Sequence, residues 1–313
     1  MTETYEKKPP WLKKTWKMTD EIREVENLID TLGLNTVCRE ASCPNYADCF
    51  GRGTATFMIL GAVCTRNCGF CDVADGTPGP PDPGEPARVG EAVKKLGLNY
   101  VVITSVTRDD LDDGGAAHFA ETVREIRRQS PKTKIETLIP DFGSSEEALA
   151  MVIEAMPDVI SHNIETIRTL YDKVRPQADY DRSLEVIRRI GDDTFSVSMK
   201  FAVQKKNRPR SKSGFMVGVG ETNEQVLELM DDLRIAGCSI LTIGQYLRPS
   251  KENIPVEEYI EPETFDRWAD EARAKGFEHV ASAPFVRSSY FAEEALLEKQ
   301  AEDIMKEKAY KCK

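Results

Sequence analysis

Apolar, β-rich segments alternate with helix-like segments along most of this chain, and this alternation constrains the fold more than any other feature of the sequence. The predicted strands are residues 54–60, 100–106, 133–139, 158–164, 214–219, 239–246 and 278–282, and the predicted helices are residues 85–96, 115–129, 145–155, 181–190, 222–236 and 263–275. Strands that alternate with helices build a mostly parallel sheet covered by those helices. Right-handed crossovers wrap such a sheet into an open doubly wound form or a barrel, and the absence of a GxGxxG motif near the start favours the barrel. The sequence therefore predicts an α/β fold, a partial (β/α)6 barrel of the TIM type.

Composition excludes several classes of protein. The chain has 313 residues, of which 40% are hydrophobic, and no stretch approaches the roughly 20 consecutive apolar residues that a membrane helix needs. Its 42 Lys and Arg against 53 Asp and Glu give a formal net charge of -11, which disfavours a general binder of nucleic acid or anionic membranes. Residues 1–18 carry several lysines but no apolar core of a secretory signal. We therefore expect a cytoplasmic protein with no nucleic-acid or membrane partner.

Six of the eight cysteines fall within 34 residues and divide into two triplets by their spacing. Cys38, Cys43 and Cys49 form a C-x4-C-x5-C pattern, and Cys64, Cys68 and Cys71 form a C-x3-C-x2-C pattern directly after a predicted strand. Structural zinc sites usually take four ligands, and neither triplet has a nearby histidine to supply the fourth. Two sets of three thiolates instead indicate cubane iron–sulfur clusters, each with one iron left to another ligand or to a substrate.

The second triplet lies in a segment that identifies a superfamily. Cys64–Cys71 reads CTRNCGFC, with an aromatic residue before the last cysteine, and this resembles the radical S-adenosylmethionine (SAM) superfamily. The resemblance implies that three thiolates hold a [4Fe–4S] cluster whose fourth iron is chelated by SAM, and that one-electron cleavage of SAM yields a 5′-deoxyadenosyl radical. A structural metal knuckle is the alternative interpretation of the spacing.

Several further motifs narrow the resemblance. The chain resembles the lipoyl synthase family over nearly its whole length, in the segments KPPWLKK (8–14), CREASCPNYADCF (38–50), HNIET (162–166), SKSGFMVGVGE (211–221) and VRSSY (286–290). The resemblance implies that Cys38, Cys43 and Cys49, with a serine of the RSSY motif, bind an auxiliary [4Fe–4S] cluster that is consumed as the sulfur source. That serine would be Ser289, with Ser288 the less favoured choice.

The resemblance also implies a reaction and its partners. An octanoyl chain, amide-linked to a lysine of a lipoyl-carrier domain, would lose one hydrogen from C6 and one from C8, and sulfur would fill both positions. The carrier would be an E2 subunit of a 2-oxoacid dehydrogenase or a glycine-cleavage H protein, and the electron donor a ferredoxin or flavodoxin. The auxiliary cluster must then sit near the radical, so we expect the N-terminal extension to fold over the C-terminal face of the barrel and meet the RSSY motif there.

This interpretation divides the chain into three parts. Residues 1–52 would form an extension that carries the auxiliary-cluster cysteines, residues 53–285 the radical SAM partial barrel, and residues 286–313 the RSSY motif and a tail helix.

Polar residues at predicted strand ends are candidates for binding SAM or the substrate. Asn163 and Glu165 suit the ammonium group of SAM, Arg175 suits its carboxylate, and Ser105 could line the cofactor pocket. Arg248, in QYLRP, is the candidate for the substrate. Ordinary hydrogen bonding at the barrel rim is the alternative interpretation of each.

One segment departs from the family pattern. Residues 191–210 are longer than the family usually has, include an apolar run that could form an extra strand or hairpin, and end in the basic KKNRPR. The basic run could contact an acidic carrier domain or could be a solvated loop.

Two other functions remain open at the level of sequence. One is a radical enzyme with an auxiliary cluster that modifies RNA or a peptide, which the acidic charge and the RSSY motif disfavour. The other is a protein that stores clusters, which reductive cleavage of SAM would exclude.

Overall fold

The structure is a computed structural model that describes residues 8–14, 19–41, 43–51, 56–192, 208–290 and 292–293. The strands are β1 (Asn35–Thr36), β2 (Thr56–Ile59), β3 (Tyr100–Ser105), β4 (Lys134–Leu138), β5 (Val159–Ser161), β6 (Arg210–Val217), β7 (Ile240–Gln245) and β8 (His279–Ser282). The helices are α1 (Asp20–Leu32), α2 (Val37–Glu40), α3 (Tyr46–Gly51), α4 (Glu85–Leu96), α5 (Ala116–Gln129), α6 (Glu146–Glu154), α7 (Tyr171–Val174), α8 (Tyr180–Gly191), α9 (Asn223–Ile235) and α10 (Pro262–Ala274).

The strands form one sheet in chain order. Strand β1 pairs antiparallel with β2, and every later neighbour pair from β2 to β8 is parallel. The predicted parallel α/β arrangement is therefore confirmed. Strand β6 begins at Arg210 rather than at 214, and β1 has no counterpart in the prediction. The expected extra strand or hairpin falls on residues 193–207, and the expected tail helix falls mostly on residues 294–313, both outside the described residues.

The residues after β8 enter the space that the strands surround. The carbonyl oxygen of Val286 lies against Gly244 of β7, where an added Cβ would be only 2.1 Å from it. The carbonyl oxygen of Ser288 accepts a hydrogen bond from Lys212 of β6, and Ala292 packs against β3. One short segment can touch strands this far apart only if the sheet curves around it. Between β8 and β2 the described residues form no ladder, so the structure is the partial barrel that the sequence predicts.

Both faces of the strands are buried, as is usual for parallel sheets. In β3, Val101 and Ile103 are fully buried in the core between the sheet and the outer helices, whereas Tyr100 and Val102 face the barrel interior. Because successive side chains point to opposite faces, this alternation separates an apolar outer core from an interior that can accommodate polar groups.

Local signals explain why the helix boundaries agree with their predictions. Helix α4 has Pro86 in its first turn and is capped at its C-terminal end by Gly97, whose φ of 62° favours glycine. Helix α9 begins with a capping box between Thr222 and Gln225. Within the described part of the chain, no helix has both the length and the apolar character needed to cross a membrane.

Candidate active site

The second cysteine triplet lies in the loop that leaves β2 at the C-terminal end of the barrel. Leu60, at the start of this loop, has a left-handed φ of 69°, a strained conformation for a non-glycine residue. The Sγ atom of Cys64 accepts hydrogen bonds from the backbone N–H groups of Arg66 (3.4 Å) and Thr107 (3.3 Å). These N–H dipoles stabilise negative charge on the sulfur, as a metal-bound thiolate requires.

Backbone hydrogen bonds hold this loop against two neighbouring segments. Gly69 donates to the carbonyl of Val174 at 2.9 Å and accepts from Ile254 at 2.9 Å. The Asn253 side chain donates to the carbonyl of Cys71 at 2.8 Å. An added Cβ on Gly69 would lie 2.9 Å from a methyl carbon of Ile254, so this close approach requires glycine.

A buried arginine within the cysteine loop ties it to two further strand ends. Arg66 donates to Asp109 at 2.7 Å and to Asp141 at 2.8 Å. Burial disfavours the charged form of Asp141, but hydrogen bonds from Arg66 outweigh it and hold the pKa of Asp141 well below its ordinary value. Arg66 thus holds the cysteine loop to the loops after β3 and β4.

The donor set of the second triplet fits a cluster better than a single ion. Burial raises the pKa of the Cys68 thiol, and it raises that of Cys71 to about 12. Cluster binding must therefore release protons from these thiols. In the described part of the chain, no three His, Cys, Asp or Glu side chains are placed to hold one metal ion. Cys64 and Cys68 lie within electrostatic range of Cys71, which suits a cubane, in which each thiolate binds its own iron.

The first triplet lies on the N-terminal extension beside β2. Cys38 is buried on α2, Cys43 follows that helix, and Cys49 lies on α3. Burial, followed by the neighbouring Cys43, raises the pKa of the Cys38 thiol to about 12, although a backbone N–H of Thr56 opposes this. These sulfurs therefore lie close enough to interact electrostatically.

The RSSY motif forms a turn. The N–H of Tyr290 donates to the carbonyl of Arg287 at 2.9 Å, so Ser288 and Ser289 occupy the corner. The hydroxyl of Ser288 accepts a hydrogen bond from Asn163 at 2.5 Å. Among the described residues the hydroxyl of Ser289 has no hydrogen-bond partner. The two serines are thus in different environments.

The N-terminal extension meets the RSSY segment, as the resemblance implies. The Asn45 side chain donates to the carbonyl of Phe285 at 2.7 Å, and the Tyr290 hydroxyl lies 3.2 Å from Asp48. Lys14 donates to Asn45 at 2.8 Å, forms an ion pair with Asp48, and lies over the rings of Phe285 and Tyr290. These contacts bring the chain segment of the first triplet onto the C-terminal segment.

The candidate SAM residues Asn163, Glu165 and Arg175 come together after β5. Asn163 donates to Glu165 at 3.1 Å, and Arg175 donates to the carbonyl of Asn163 at 2.9 Å. Burial raises the pKa of Glu165, although the charge of Arg175 opposes the shift. Arg175 also lies close enough to Cys68 to lower the pKa of that thiol. The three residues therefore adjoin the second cysteine triplet.

Buried polar atoms without hydrogen-bond partners define a candidate ligand pocket at the same end of the barrel. Among the described residues these include Oγ of Ser161, Oδ1 of Asn163 and Nε of Arg175. The hydroxyls of Ser105 and Thr137 also lack partners, but the two residues pair in register with Ile59 and Ile103 and so lie on the strand face turned to the outer helices. Buried polar groups are nearly always hydrogen-bonded, and a polar ligand such as SAM would supply the missing partners.

Two basic residues serve the scaffold instead of facing this pocket, namely Arg248, which the sequence offers as the candidate for the substrate, and Lys212. Arg248 donates to the carbonyl of Asn253 at 2.8 Å and to that of Lys251, which shapes the loop holding Cys71. Lys212 is buried inside the barrel, bonded to Glu136 at 2.9 Å. Sequence reasoning missed Glu136, although a carboxylate inside an apolar strand run could have indicated it.

Comparison with known proteins gives matches along nearly the whole chain. The model of the radical SAM superfamily matches residues 58–233. The lipoyl synthase of Caldicellulosiruptor saccharolyticus is 53% identical over 288 residues, which cover 92% of this chain and 97% of the relative. The lipoyl synthase of Caldanaerobacter subterraneus subsp. tengcongensis is 50% identical over 291 residues, which cover 93% of this chain and 97% of the relative. A crystal structure of methylornithine synthase matches with a TM-score of 0.49 and 16% identity, over 86% of this chain and 87% of that chain.

The sequence relatives and the superfamily model name the same family that the cysteine spacing and the RSSY motif indicate. The chain therefore belongs to the lipoyl synthase family of the radical SAM superfamily.

Proposed function

We propose that this chain inserts two sulfur atoms, at C6 and C8, into an octanoyl group carried on a lysine of a partner protein. The observation that carries this proposal is the hydrogen bond between Asn163 and Ser288. It joins the pocket beside the second triplet to the RSSY turn, which contacts the segment of the first triplet. A hydrogen-abstracting site and a sulfur-donating site must be neighbours for one substrate chain to react at both.

The second triplet is the proposed site of SAM chemistry. Cys64, Cys68 and Cys71 would hold one [4Fe–4S] cluster, which supplies, with bound SAM, the reductive cleavage that starts hydrogen abstraction. Glu165 would accept hydrogen bonds from the ammonium group of SAM, and Arg175 would bind its carboxylate. Asn163 orients Glu165 through the hydrogen bond between their side chains.

Ser105 does not enter this proposal, because it shares the face of β3 that Ile103 turns to the outer helices. Arg248 would act on the substrate only indirectly, since two of its N–H groups already bond backbone carbonyls.

The first triplet is the proposed sulfur-donating site. Cys38, Cys43 and Cys49, with Ser289, would hold the auxiliary [4Fe–4S] cluster. The Ser288 hydroxyl is bonded to Asn163, whereas the Ser289 hydroxyl has no hydrogen-bond partner among the described residues, and this difference supports Ser289 as the ligand. Serine oxygen binds iron less well than thiolate, which suits a cluster that is dismantled during turnover.

The partners follow from the chemistry of the substrate. A lipoyl-carrier domain of an E2 subunit, or a glycine-cleavage H protein, would present the octanoyl-lysine, and a ferredoxin or flavodoxin would supply electrons. We place this activity in the cytoplasm. Of the basic run that could contact the carrier, Arg210 pairs with Glu278 at 3.0 Å, while Lys205 and Lys206 lie outside the described residues.

The test is an anaerobic assay with an octanoyl-lysine peptide and with an octanoylated carrier domain. The reconstituted protein receives SAM and a low-potential reductant, and mass spectrometry follows the substrate. We expect two added sulfurs and deoxyadenosine from the parent protein. Replacing Cys38, Cys43 and Cys49 by Ala should abolish sulfur addition but not deoxyadenosine, whereas replacing the second triplet should abolish both.

Cys238→Ala is the matched control, because this cysteine is buried outside both triplets and should not affect either product. Deoxyadenosine without any sulfur addition to peptide or carrier would refute the proposed reaction and leave a radical enzyme with another substrate.

A further inference from the structure

A buried polar network crosses the interior of the barrel below the candidate site. The Lys212 ammonium donates to both carboxylate oxygens of Glu136, at 2.9 and 3.0 Å, and the Tyr100 hydroxyl donates to Oε2 at 2.6 Å. The exposed fractions of Glu136, Lys212 and Tyr100 are 0%, 2% and 7%. A buried ion pair is weak evidence for a contribution to stability, because desolvation offsets the attraction between the charges. Stability alone therefore does not explain why these charged groups are buried in the barrel, and a functional role does.

Lys212 has a third partner, which lies in the RSSY turn. Its ammonium donates to the carbonyl oxygen of Ser288 at 2.6 Å. An ammonium has three N–H donors, and the two oxygens of Glu136 with this carbonyl give it three acceptors. Glu136 thus fixes the lysine so that its remaining donor meets the turn. An arginine has five donors on a planar fork and could not satisfy them here.

Ser288 is held at two points, and this determines the environment of its neighbour. Lys212 binds its carbonyl from inside the barrel, and Asn163 binds its hydroxyl from the end of β5. On either side, Arg287 lies within electrostatic range of Cys43, and Tyr290 contacts Asp48. Ser289 is therefore presented between residues that face the first cysteine triplet.

We propose that Lys212, anchored by Glu136, is a positioning residue that holds the backbone of Ser288 so that Ser289 can ligate the auxiliary cluster. This inference rests on the proposed function, in which Ser289 is the fourth ligand. Lys212 touches neither the cluster nor the substrate, and it acts through the turn alone.

Two paired substitutions test the anchor. K212M/E136Q removes both charges, so that neither is left buried alone. K212E/E136K keeps an ion pair in the barrel but places a carboxylate opposite the Ser288 carbonyl, so it tests the anchor if the neutral pair folds poorly. Y100F is the matched control, because it removes a hydrogen bond from Glu136 while leaving Lys212 and Ser288 in contact.

The first readout is hydrogen exchange in the cluster-free protein. The Tyr290 amide is bonded to the Arg287 carbonyl and reports on opening of the turn. We expect exchange at Tyr290 to be faster by about tenfold or more in both paired variants and to change little in Y100F. An unchanged rate in the folded paired variants would overturn the proposal.

The second readout is the Mössbauer spectrum of the auxiliary cluster. Substituting Ala for Cys64, Cys68 and Cys71 ensures that only this cluster is loaded. With these three substitutions alone, the cluster should show one iron whose signal is distinct from that of the other three. Adding either paired substitution should remove that distinct signal.

A spectrum that keeps the distinct iron in the paired variants would also overturn the proposal. S289A separates the hypothesis that Ser289 ligates the cluster from the hypothesis that Lys212 anchors the turn. If S289A leaves the spectrum of the auxiliary cluster unchanged, Ser289 is not a ligand of that cluster. The exchange rate at Tyr290 then still decides whether Lys212 anchors the turn.

Discussion

Glu165 has a left-handed backbone, with a φ of 67°, which is uncommon for a residue with a side chain. Such a conformation costs on the order of 1–3 kcal/mol and persists only where the surroundings enforce it. Here the Glu165 N–H donates to the Gly214 carbonyl at 3.0 Å, and its own carbonyl accepts from Met216 at 2.9 Å. The strained backbone directs the carboxylate to Asn163, next to the cysteine loop.

The carboxylate of Glu165 gives the first prediction. Because a charge-assisted hydrogen bond contributes about 1.5–3 kcal/mol, E165Q should weaken SAM binding by about 10- to 100-fold. Calorimetric titration of the reconstituted protein with SAM measures this. E121Q, an exposed carboxylate on α5, should bind SAM like the parent, and equal affinity in E165Q would exclude Glu165 from the site.

Asp141 gives a prediction of pH-dependent stability. D141N should lower the free energy of unfolding by about 3 kcal/mol at pH 7, because buried Arg66 loses its buried ionic partner and keeps only the more exposed Asp109. The folded-state pKa of Asp141 is depressed, so its contribution is complete above the unfolded-state value of about 4 and is lost as the pH falls further.

The difference between the two proteins should therefore be constant from neutral pH to about pH 5 and shrink below about pH 4. Urea unfolding at several pH values measures it. D181N, which breaks an exposed pair with Arg168, should cost less than about 1 kcal/mol at every pH. A D141N protein as stable as D181N would contradict the assignment.

At the scale of elements, two glycines on the inner faces of β6 and β7 leave room for groups that approach closely. A Cβ on Gly214 would lie 2.1 Å from Oγ1 of Thr242, and one on Gly244 would lie 2.1 Å from the Val286 carbonyl. These positions sit in strands, where glycine is unfavourable unless another group approaches closely. The path of the C-terminal segment past β7 therefore depends on the absence of a side chain at Gly244.

G244A should displace Val286 and lower the free energy of unfolding by about 1–3 kcal/mol, the usual cost of overpacking. Thermal unfolding measures the loss, and hydrogen exchange at Val286, whose N–H donates to Ala283, locates it. G79A is the control, because nothing lies within 4 Å of the added carbon. If both variants unfold alike, the close approach of Val286 to β7 is wrong.

The elements themselves were largely predictable from the sequence, since caps and periodicity are local. Helix α4 matches its predicted range, whereas β5 ends at Ser161 instead of 164. Ile164 was expected to continue the strand, but its N–H bonds the Ser213 side chain as the chain leaves the ladder towards Glu165. The strand therefore ends because of a contact with a residue 49 positions away, and no local sequence pattern predicts that contact.

At the scale of the whole molecule, the two ends of the described chain meet over the mouth of the barrel. Lys14 links them, since it bonds Asn45 and Asp48 and lies 4.9 Å from the ring centre of Phe285 and 5.1 Å from that of Tyr290. Contacts of this kind are worth about 0.5–1 kcal/mol each at exposed sites.

K14A should therefore lower the free energy of detaching the N-terminal extension from the C-terminal segment by about 1–2 kcal/mol, without unfolding the barrel. Limited proteolysis should cut the N-terminal segment faster in K14A, while far-ultraviolet circular dichroism stays unchanged. K13A is the matched control, an exposed neighbour that should be cut like the parent. Equal cutting of K13A and K14A would show that Lys14 does not join the two ends.

The sequence by itself determined the cysteine triplets, the order of the main strands and helices, and the strand that Asn163 and Glu165 follow, because spacing and periodicity are properties of neighbouring residues. Only the tertiary structure decided which serine of the RSSY turn is engaged, and which groups hold the turn. Lys212 and Glu136 are 76 residues apart, and the same separation divides Lys212 from Ser288. Such partners meet because the sheet curves, and curvature is set by the packing of all its strands and not by any one of them.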